Sequence, residues 1–210
     1  MSDELVLYTN PMSRGRIARW MLEEVGAPYR AEILAYAGAM KTPEYLAINP
    51  MGKVPAIRHG EVVVTEGAAI CAYLADAFPE AKLAPAHGCK TRGPYYRWLF
   101  FGAGPIEAAT SDKMLGAHTA GREVQLGYGS LEQVLDVLDK LVSSSDYLAG
   151  DQFTAADVYT GSHIGWGMQF GSIEKRPAFE KYWERIGNRP AAVRAREIDD
   201  ALMPAPAPAA

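Results

Sequence analysis

The sequence predicts a small α/β domain followed by a larger all-α domain. In the first part of the chain, short runs of strand-forming residues alternate with segments whose apolar residues recur at helical spacing. Farther along, the apolar residues recur only at helical spacing, and no strand pattern is present. We therefore predict a α/β domain at residues 1–79, a linker at 80–86, an all-α domain at 87–202 and a disordered Pro/Ala tail at 203–210.

The α/β domain has the predicted order β-α-β-α-β-β-α, which is that of a thioredoxin-like domain. Its first strand is Leu5-Val6-Leu7-Tyr8, and the next helix runs from Ser13 to Val25, where Gly26 and Pro28 end it. The first two strands should be parallel, because a helix forms the crossover between them. The remaining elements are a strand at 29–34, a helical or irregular segment at 41–48, a hairpin of 56–58 and 62–64, and a helix at 67–77.

The all-α domain is predicted to consist of successive helices. Gly104-Pro105 should kink or interrupt the first, because proline cannot donate the helical hydrogen bond. Thr154 and Asp157 have the spacing of a capping box, and we expect this pair to stabilise the fold and to do no chemistry. The predicted helices are 89–114, 123–142, one that begins at Thr154, 177–187 and one that begins at Pro190.

Composition and charge argue against several classes of function. The chain has 210 residues, 49% of them hydrophobic, and its formal net charge of −4 gives no basic footprint for nucleic acid. The start Met1-Ser2-Asp3-Glu4 lacks a targeting pattern, and no apolar run is long enough to span a membrane, so we expect a cytoplasmic protein. Cys71 and Cys89 are too few for a disulfide framework, and the histidines are scattered, so no metal site is predicted.

A loop at residues 49–57 and the helix start after it offer two ways of holding a small peptide. Val54 precedes Pro55 and is therefore pushed toward an extended conformation, in which its N–H and C=O can pair with an extended ligand. The N–H groups at the helix start near Gly67 favour a carboxylate, and Glu66 can take an ammonium group. Together these groups suit the α-carboxyl and α-amino groups of an amino acid.

The pattern Asn-Pro-x-Gly-Lys-Val-Pro-Ala, followed by Thr-Glu-Gly-x-Ala-Ile, resembles the glutathione site of the cytosolic glutathione transferases. Together with the order of the elements, the resemblance covers essentially residues 4 to 200. It implies a cis peptide bond before Pro55, backbone hydrogen bonds between Val54 and the cysteinyl part of glutathione, and a γ-glutamyl site at Glu66 and Gly67. Gly67 stands where the family has serine, so a hydroxyl contact is lost while the backbone N–H remains.

Two lysines are positioned to meet the glycyl end of glutathione. Lys53 lies where several classes of the family have a glutamine that contacts the glycyl end, and Lys41 is positioned to reach the same carboxylate. Either side chain could equally be a solvated surface lysine. The sequence leaves both interpretations open.

Two residues compete for the role of stabilising the glutathione thiolate. In the serine-using classes, the residue that matches Ser13 donates a hydrogen bond to the sulfur, although a serine at a helix start is also a common N-cap. Tyr8 matches the donor of the tyrosine-using classes, but it can also pack beneath the loop as a strand residue. No cysteine occupies this loop, so it cannot form a mixed disulfide with glutathione, and conjugation is favoured over thiol transfer.

The resemblance implies a homodimer that adds glutathione, as co-substrate and without a further cofactor, to a small apolar electrophile in detoxification. We expect an apolar electrophile pocket between the domains, lined by Met12, Tyr95, Trp98 and Phe101, unless the aromatic residues belong to the core. Two alternatives stay open. One is a non-catalytic binding module of the same fold, and the other is the reduction of organic hydroperoxides through the same thiolate.

Overall fold

The computed structural model describes residues 4–36 and 38–203. These residues form a four-stranded sheet with associated helices, followed by a series of further helices. The architecture confirms the predicted thioredoxin-like domain and the all-α domain after it. Apart from Met203, the predicted tail at 203–210 lies outside the described residues.

Four strands form one mixed sheet, namely β1 (Leu5–Thr9), β2 (Arg30–Ile33), β3 (Ala56–His59) and β4 (Val62–Thr65). Their order across the sheet is β2-β1-β3-β4. Strand β1 is parallel to β2, as predicted, and antiparallel to β3, with Tyr8 opposite Ala56. All five residues of β1 are buried; the strand lies between β2 and β3 and packs against α1.

The described helices follow the predicted order. Helices α4 and α5 are joined by a π-helical turn that contains Pro105, which confirms the interruption predicted there. The segment predicted at 41–48 is a 3₁₀ turn at Ala39–Lys41 followed by a single α-helical turn. The α-helices are α1 (Gly15–Val25), α2 (Pro43–Leu46), α3 (Gly67–Ala77), α4 (Arg92–Phe101), α5 (Glu107–Met114), α6 (Leu131–Ser144), α7 (Ala155–Phe170), α8 (Pro177–Gly187) and α9 (Pro190–Ala201).

The predicted start of the helix at 123–142 is wrong, because α6 begins only at Leu131. Gly129 has a φ of 71°, a left-handed conformation that cannot continue a helix. Ser130 follows it and forms a capping box with Gln133, which satisfies the first N–H groups of α6. Local cap chemistry therefore sets this boundary.

The described residues divide into two compact units. The first contains the residues up to Ile70 and those from Pro190 onward, and the second contains Cys71–Arg189. Helix α9 therefore belongs to the unit that carries the sheet, and within that unit it packs on α1. The domain boundaries predicted from the sequence, which assign α9 to the all-α domain, remain a prediction.

Helix α7 forms the centre of the second unit, and nearly all of its residues are buried. Its start is held by Asp157, whose carboxylate accepts the Thr154 N–H (2.9 Å), which confirms the predicted cap. The same carboxylate accepts the Leu148 N–H (2.8 Å) and the Tyr182 hydroxyl (2.9 Å). This buried carboxylate therefore ties a preceding loop and α8 to the start of α7.

Two negative findings concern the part of the chain that the structure describes. No helix there is both long enough and apolar enough to cross a lipid bilayer. No cluster of three or more His, Cys, Asp or Glu side chains there fits a metal ion. Cys71 is a buried free thiol and Cys89 is an exposed one.

Candidate functional site

The sheet register brings three of the predicted site segments to one end of the sheet. Ala56, the first residue of β3, lies opposite Tyr8 near the end of β1 and opposite Thr65 at the end of β4. The segment before β3, the segment after β1 and the start of α3 therefore meet at this end. All three segments belong to the first unit.

The segment at residues 10–13, hereafter the β1–α1 loop, is held by a network around Asn10. The Asn10 side-chain amide donates to Leu34 O (2.8 Å), and its Oδ1 accepts the Met12 N–H (2.9 Å). The Met12 carbonyl accepts the Tyr36 hydroxyl (2.8 Å). The Asn-Pro dipeptide at 10–11 indicates a turn in the sequence, whereas no pattern pointed to Tyr36.

Ser13 is half-buried at the end of this loop, just before the start of α1. Its Oγ donates to Asn10 O (2.7 Å) and accepts the Gly15 N–H (2.9 Å). The hydroxyl therefore satisfies one of the first N–H groups of α1, as the cap interpretation predicts. The same position lies at the positive end of the helix dipole, where an anion is favoured. Helix α1 begins at Gly15, two residues after its predicted start at Ser13.

Tyr8 is a buried strand residue. It belongs to a core cluster with Val6, Met40, Tyr45 and Ala56, and its ring centroid lies 5.7 Å from that of Tyr45. These contacts match the packing role that was left open for this residue. They favour Ser13 over Tyr8 as the group that meets a ligand.

The loop before β3 contains a cis peptide bond between Val54 and Pro55, as the resemblance implies. It is held from within by buried Asn49 and buried Tyr45, whose amide and hydroxyl both donate to Lys53 O, the former at 2.9 Å. Asn49 is the first residue of the sequence motif of this loop, whereas no sequence pattern pointed to Tyr45. The Asn49-Pro50 dipeptide is a turn signal, but the contribution of Tyr45 depends on tertiary packing.

Both predicted lysines lie at this loop. Lys41 Nζ donates to Met51 O (3.1 Å) and to Gly52 O (3.0 Å), so its ammonium group is a clamp on the loop. The Lys53 side chain is exposed. Lys41 is therefore committed to main-chain carbonyls, while Lys53 faces solvent.

Val54 presents a backbone N–H and C=O that pair with no group among the described residues. The residue is half-buried and packs against the core cluster of the first unit, so the main chain is fixed while its hydrogen-bonding groups stay open. Buried backbone groups are nearly always paired in native proteins. An open pair on a fixed segment is a template for an extended ligand.

Glu66 and Gly67 form the turn from β4 into α3. Glu66 has a φ of 67°, which is uncommon for a residue other than glycine. Its carbonyl accepts the Ile70 N–H (2.9 Å), while its exposed carboxylate has no partner among the described residues. The Gly67 N–H precedes the first hydrogen bond within α3. A free carboxylate therefore stands next to a free helix N-terminus.

The residues proposed for the electrophile pocket lie in different surroundings. Met12 is 61% exposed on the β1–α1 loop. Tyr95 and Trp98 are buried in the core of the second unit, and Phe101 packs on Trp98 with ring centroids 5.2 Å apart. The surroundings of Tyr95 and Trp98 favour the core interpretation. The pocket itself remains a prediction.

Comparisons with known proteins agree with this arrangement. Residues 12–77 match the family model of the glutathione S-transferase N-terminal domain, and residues 117–190 match that of the C-terminal domain. Glutathione S-transferase 3 of Zea mays is 29% identical over 204 residues, which cover 89% of this chain and 90% of the maize protein. Disulfide-bond oxidoreductase YfcG of Escherichia coli strain K12 is 27% identical over 202 residues, 90% of this chain and 93% of that protein.

A solved structure of a sphingomonad glutathione S-transferase in complex with glutathione is also similar. It is 30% identical, covers 93% of this chain and 98% of its own, and superposes with a TM-score of 0.77. The two family models and this structure together span both units of the molecule. The chain belongs to the glutathione S-transferase family.

Proposed function

We propose that this glutathione transferase binds its co-substrate through Val54, Glu66 and Gly67, and that Ser13 stabilises the thiolate for addition to a small apolar electrophile. The observation that carries the proposal is the open N–H and C=O of Val54. They lie at the same end of the sheet as the free Glu66 carboxylate and the start of α3. Glutathione is a peptide with matching groups: an amide in the middle, and an ammonium and a carboxylate at the γ-glutamyl end.

Each group of the ligand has a complementary group on the protein. The cysteinyl amide pairs with Val54 as an added strand, so recognition there requires no side chain. The γ-glutamyl ammonium meets the Glu66 carboxylate, and the γ-glutamyl carboxylate meets the N–H groups at the start of α3. The glycyl carboxylate meets Lys53, and Lys41 supports it by fixing the loop and adding positive charge.

Ser13 can provide the free energy that thiolate formation requires. Lowering the thiol pKa by about two units requires roughly 2.7 kcal/mol of preference for the anion. A charge-assisted hydrogen bond contributes about 1.5–3 kcal/mol, and the N-terminus of α1 adds about 0.3–1 kcal/mol. Because a serine has one hydroxyl proton, the bond to sulfur replaces the bond to Asn10 O. Asn10 O keeps the Ser13 N–H as a donor (3.1 Å), so the exchange leaves no unpaired carbonyl.

The proposal extends to the electrophile and to the assembly. The exposed Met12 side chain adjoins Ser13 in sequence and is suited to an apolar electrophile. Tyr95, Trp98 and Phe101 of the second unit stay a prediction, and the burial of Tyr95 and Trp98 counts against a role for these two residues in binding. We propose a homodimer as the assembly, on the basis of the family.

Assays can distinguish the proposed conjugation from three other functions of the same site. A non-catalytic module would bind glutathione without activating it, and a peroxidase would use the thiolate on an organic hydroperoxide. Thiol transfer enters because one relative carries the name disulfide-bond oxidoreductase. The absence of cysteine from the β1–α1 loop argues against it, since serine cannot form a mixed disulfide.

The decisive experiment is an ultraviolet difference titration of bound glutathione against pH in the wild type, Ser13→Ala and Tyr8→Phe. We expect a thiol pKa well below that of free glutathione in the wild type. Ser13→Ala should return it toward the free value and lower turnover by about 10- to 100-fold, the equivalent of one charge-assisted hydrogen bond, with little loss of affinity. Tyr8→Phe should leave the thiol pKa unchanged.

Four results would contradict the proposal. Unchanged turnover in Ser13→Ala would transfer the sulfur contact to Tyr8 or to a backbone N–H. Saturable binding without thiolate absorbance would indicate a binding module. No binding of glutathione at all, or full binding by Glu66→Ala, would remove the proposed site.

A further inference from the structure

Helix α9 lies antiparallel along α1, and three arginine–carboxylate pairs join the two helices. Residues later in α9 pair with residues earlier in α1. The last turn of α9 therefore meets the first turn of α1, where the β1–α1 loop ends. All of these residues belong to the first unit. The pairs are Arg194 with Glu23 (3.2 Å), Arg19 with Asp199 (2.8 Å) and Arg16 with Asp200 (2.7 Å).

The last of these pairs continues into the β1–α1 loop. Arg16 donates through Nη2 to Asp200 Oδ1, and through Nε to the carbonyl of Pro11. A guanidinium group is planar and rigid, so fixing one edge of it fixes the direction of the other. Asp200 therefore determines where Arg16 points, and Arg16 holds the second residue of the loop that ends in Ser13.

We propose that Asp200 is a positioning residue for the sulfur site, which acts on the β1–α1 loop only through Arg16. This inference rests on the proposed role of Ser13. Without Asp200, the Arg16 side chain loses its charged partner and is free to turn toward water. The Pro11 carbonyl then loses a fixed donor, and the Ser13 hydroxyl two residues later is held less firmly. Hydrogen bonds weaken steeply with angle, so a small displacement reduces the stabilisation of the thiolate.

Electrostatics alone predicts the opposite change in the thiol pKa of bound glutathione. Removal of the Asp200 carboxylate leaves the positive charge of Arg16 uncompensated near the sulfur site. That charge, with Arg14 on the same segment, would favour the thiolate and lower the thiol pKa. A rise in the thiol pKa in Asp200→Ala therefore indicates positioning, and a fall indicates a purely electrostatic role.

The action of Asp200 on the β1–α1 loop through Arg16, hereafter the relay, is tested by a double-mutant cycle. We expect Asp200→Ala to raise the pKa of the bound glutathione thiol and to lower kcat/KM by about 3- to 10-fold. This effect lies at the lower end of the coupling usually found between residues of one hydrogen-bond network. Arg16→Ala should act in the same direction, and the double variant should match Arg16→Ala alone. Arg194→Gln is the matched control, because it breaks the pair at the far end of the same two helices and should leave the thiol pKa unchanged.

A second measurement needs no glutathione. Amide hydrogen exchange in a peptide covering residues 9–17 should be faster in Asp200→Ala and in Arg16→Ala than in the wild type, and unchanged in Arg194→Gln. If the wild type fails to bind glutathione, the proposed function falls while the exchange measurement still tests the relay. Additive effects in the cycle, a lowered thiol pKa or unchanged exchange in Asp200→Ala would each overturn the inference.

Discussion

Neighbouring residues Asp199 and Asp200 allow the contribution of burial to an ion pair to be measured within one helical turn. Both pair with an arginine of α1, at 2.8 Å and 2.7 Å respectively. The side chains of Arg19 and Asp199 are 2% and 0% exposed, whereas those of Arg16 and Asp200 are 22% and 56% exposed. The chemistry and the pair of helices are the same, so the surroundings are the variable.

We expect Asp199→Ala to lower the free energy of unfolding by about 3–5 kcal/mol, because it leaves a buried guanidinium without its counter-charge. Among the described residues, Arg19 keeps a hydrogen bond only to the Tyr29 hydroxyl (3.1 Å), and its Nη2 already has no partner there. Asp200→Ala should cost less than about 1 kcal/mol, since water replaces an exposed carboxylate. The expected difference is a large share of the roughly 5–15 kcal/mol that stabilises a typical protein.

The assay is equilibrium unfolding in urea at one protein concentration, because dimerisation would make the midpoint depend on concentration. Burial raises the pKa of the Asp199 carboxyl and Arg19 opposes that rise. In a buried ion pair the cost of removing two charges from water offsets most of their attraction. The double variant Arg19→Met with Asp199→Leu should therefore be close to the wild type in stability. Equal losses in Asp199→Ala and Asp200→Ala would refute the reasoning.

Two further predictions concern buried groups elsewhere. Burial raises the pKa of Asp157 from its ordinary 3.8 to about 6, although its hydrogen-bond donors act to lower it. Its contribution to the free energy of unfolding should therefore be greatest below pH 3.8 and be lost as the pH rises through about 6. Carbon NMR of this carboxyl checks the value, and titration below 3.8 would mean that the donors outweigh burial. Gly15→Ala would place a Cβ 1.9 Å from Thr9 Oγ1 and should cost about 1–3 kcal/mol of unfolding free energy. Denaturation of Gly15→Ala with Thr9→Ala should show partial recovery, and a full loss would locate the strain elsewhere.

The periodicity of apolar residues was sufficient to predict the order of the elements. An element that buries one face needs apolar residues at its own structural period, so that period can be read in the sequence. It failed at the start of α6, where Val124 and Leu126 extend the apolar pattern without being helical. Val124 is fully exposed, so its apolar character does not report burial. Gly129 and the cap at Ser130 determine the helix start instead.

Within the site, residues that depend on local backbone conformation were predictable and those that depend on tertiary packing were not. The cis bond at Val54–Pro55 and the helix start at Gly67 follow from short patterns that resemble a known site. Tyr36, in a loop, and Tyr45, in α2, contribute hydroxyl groups to the site, and no local sequence pattern marks them. The pair of Arg16 and Asp200 joins residues 184 apart in sequence, a contact that only the packing of α9 on α1 creates.

The pairing of α9 with α1 also has a consequence in time, during synthesis of the chain. Arg19 leaves the ribosome 180 residues before its partner Asp199. At roughly 5–20 residues per second, that interval is on the order of 10–40 s. Once β4 has emerged, the sheet and α1 can be complete for the rest of that interval, while the Arg19 guanidinium still lacks its counter-charge. The first unit to emerge is therefore the last to become stable, and the final residues of α9 complete it.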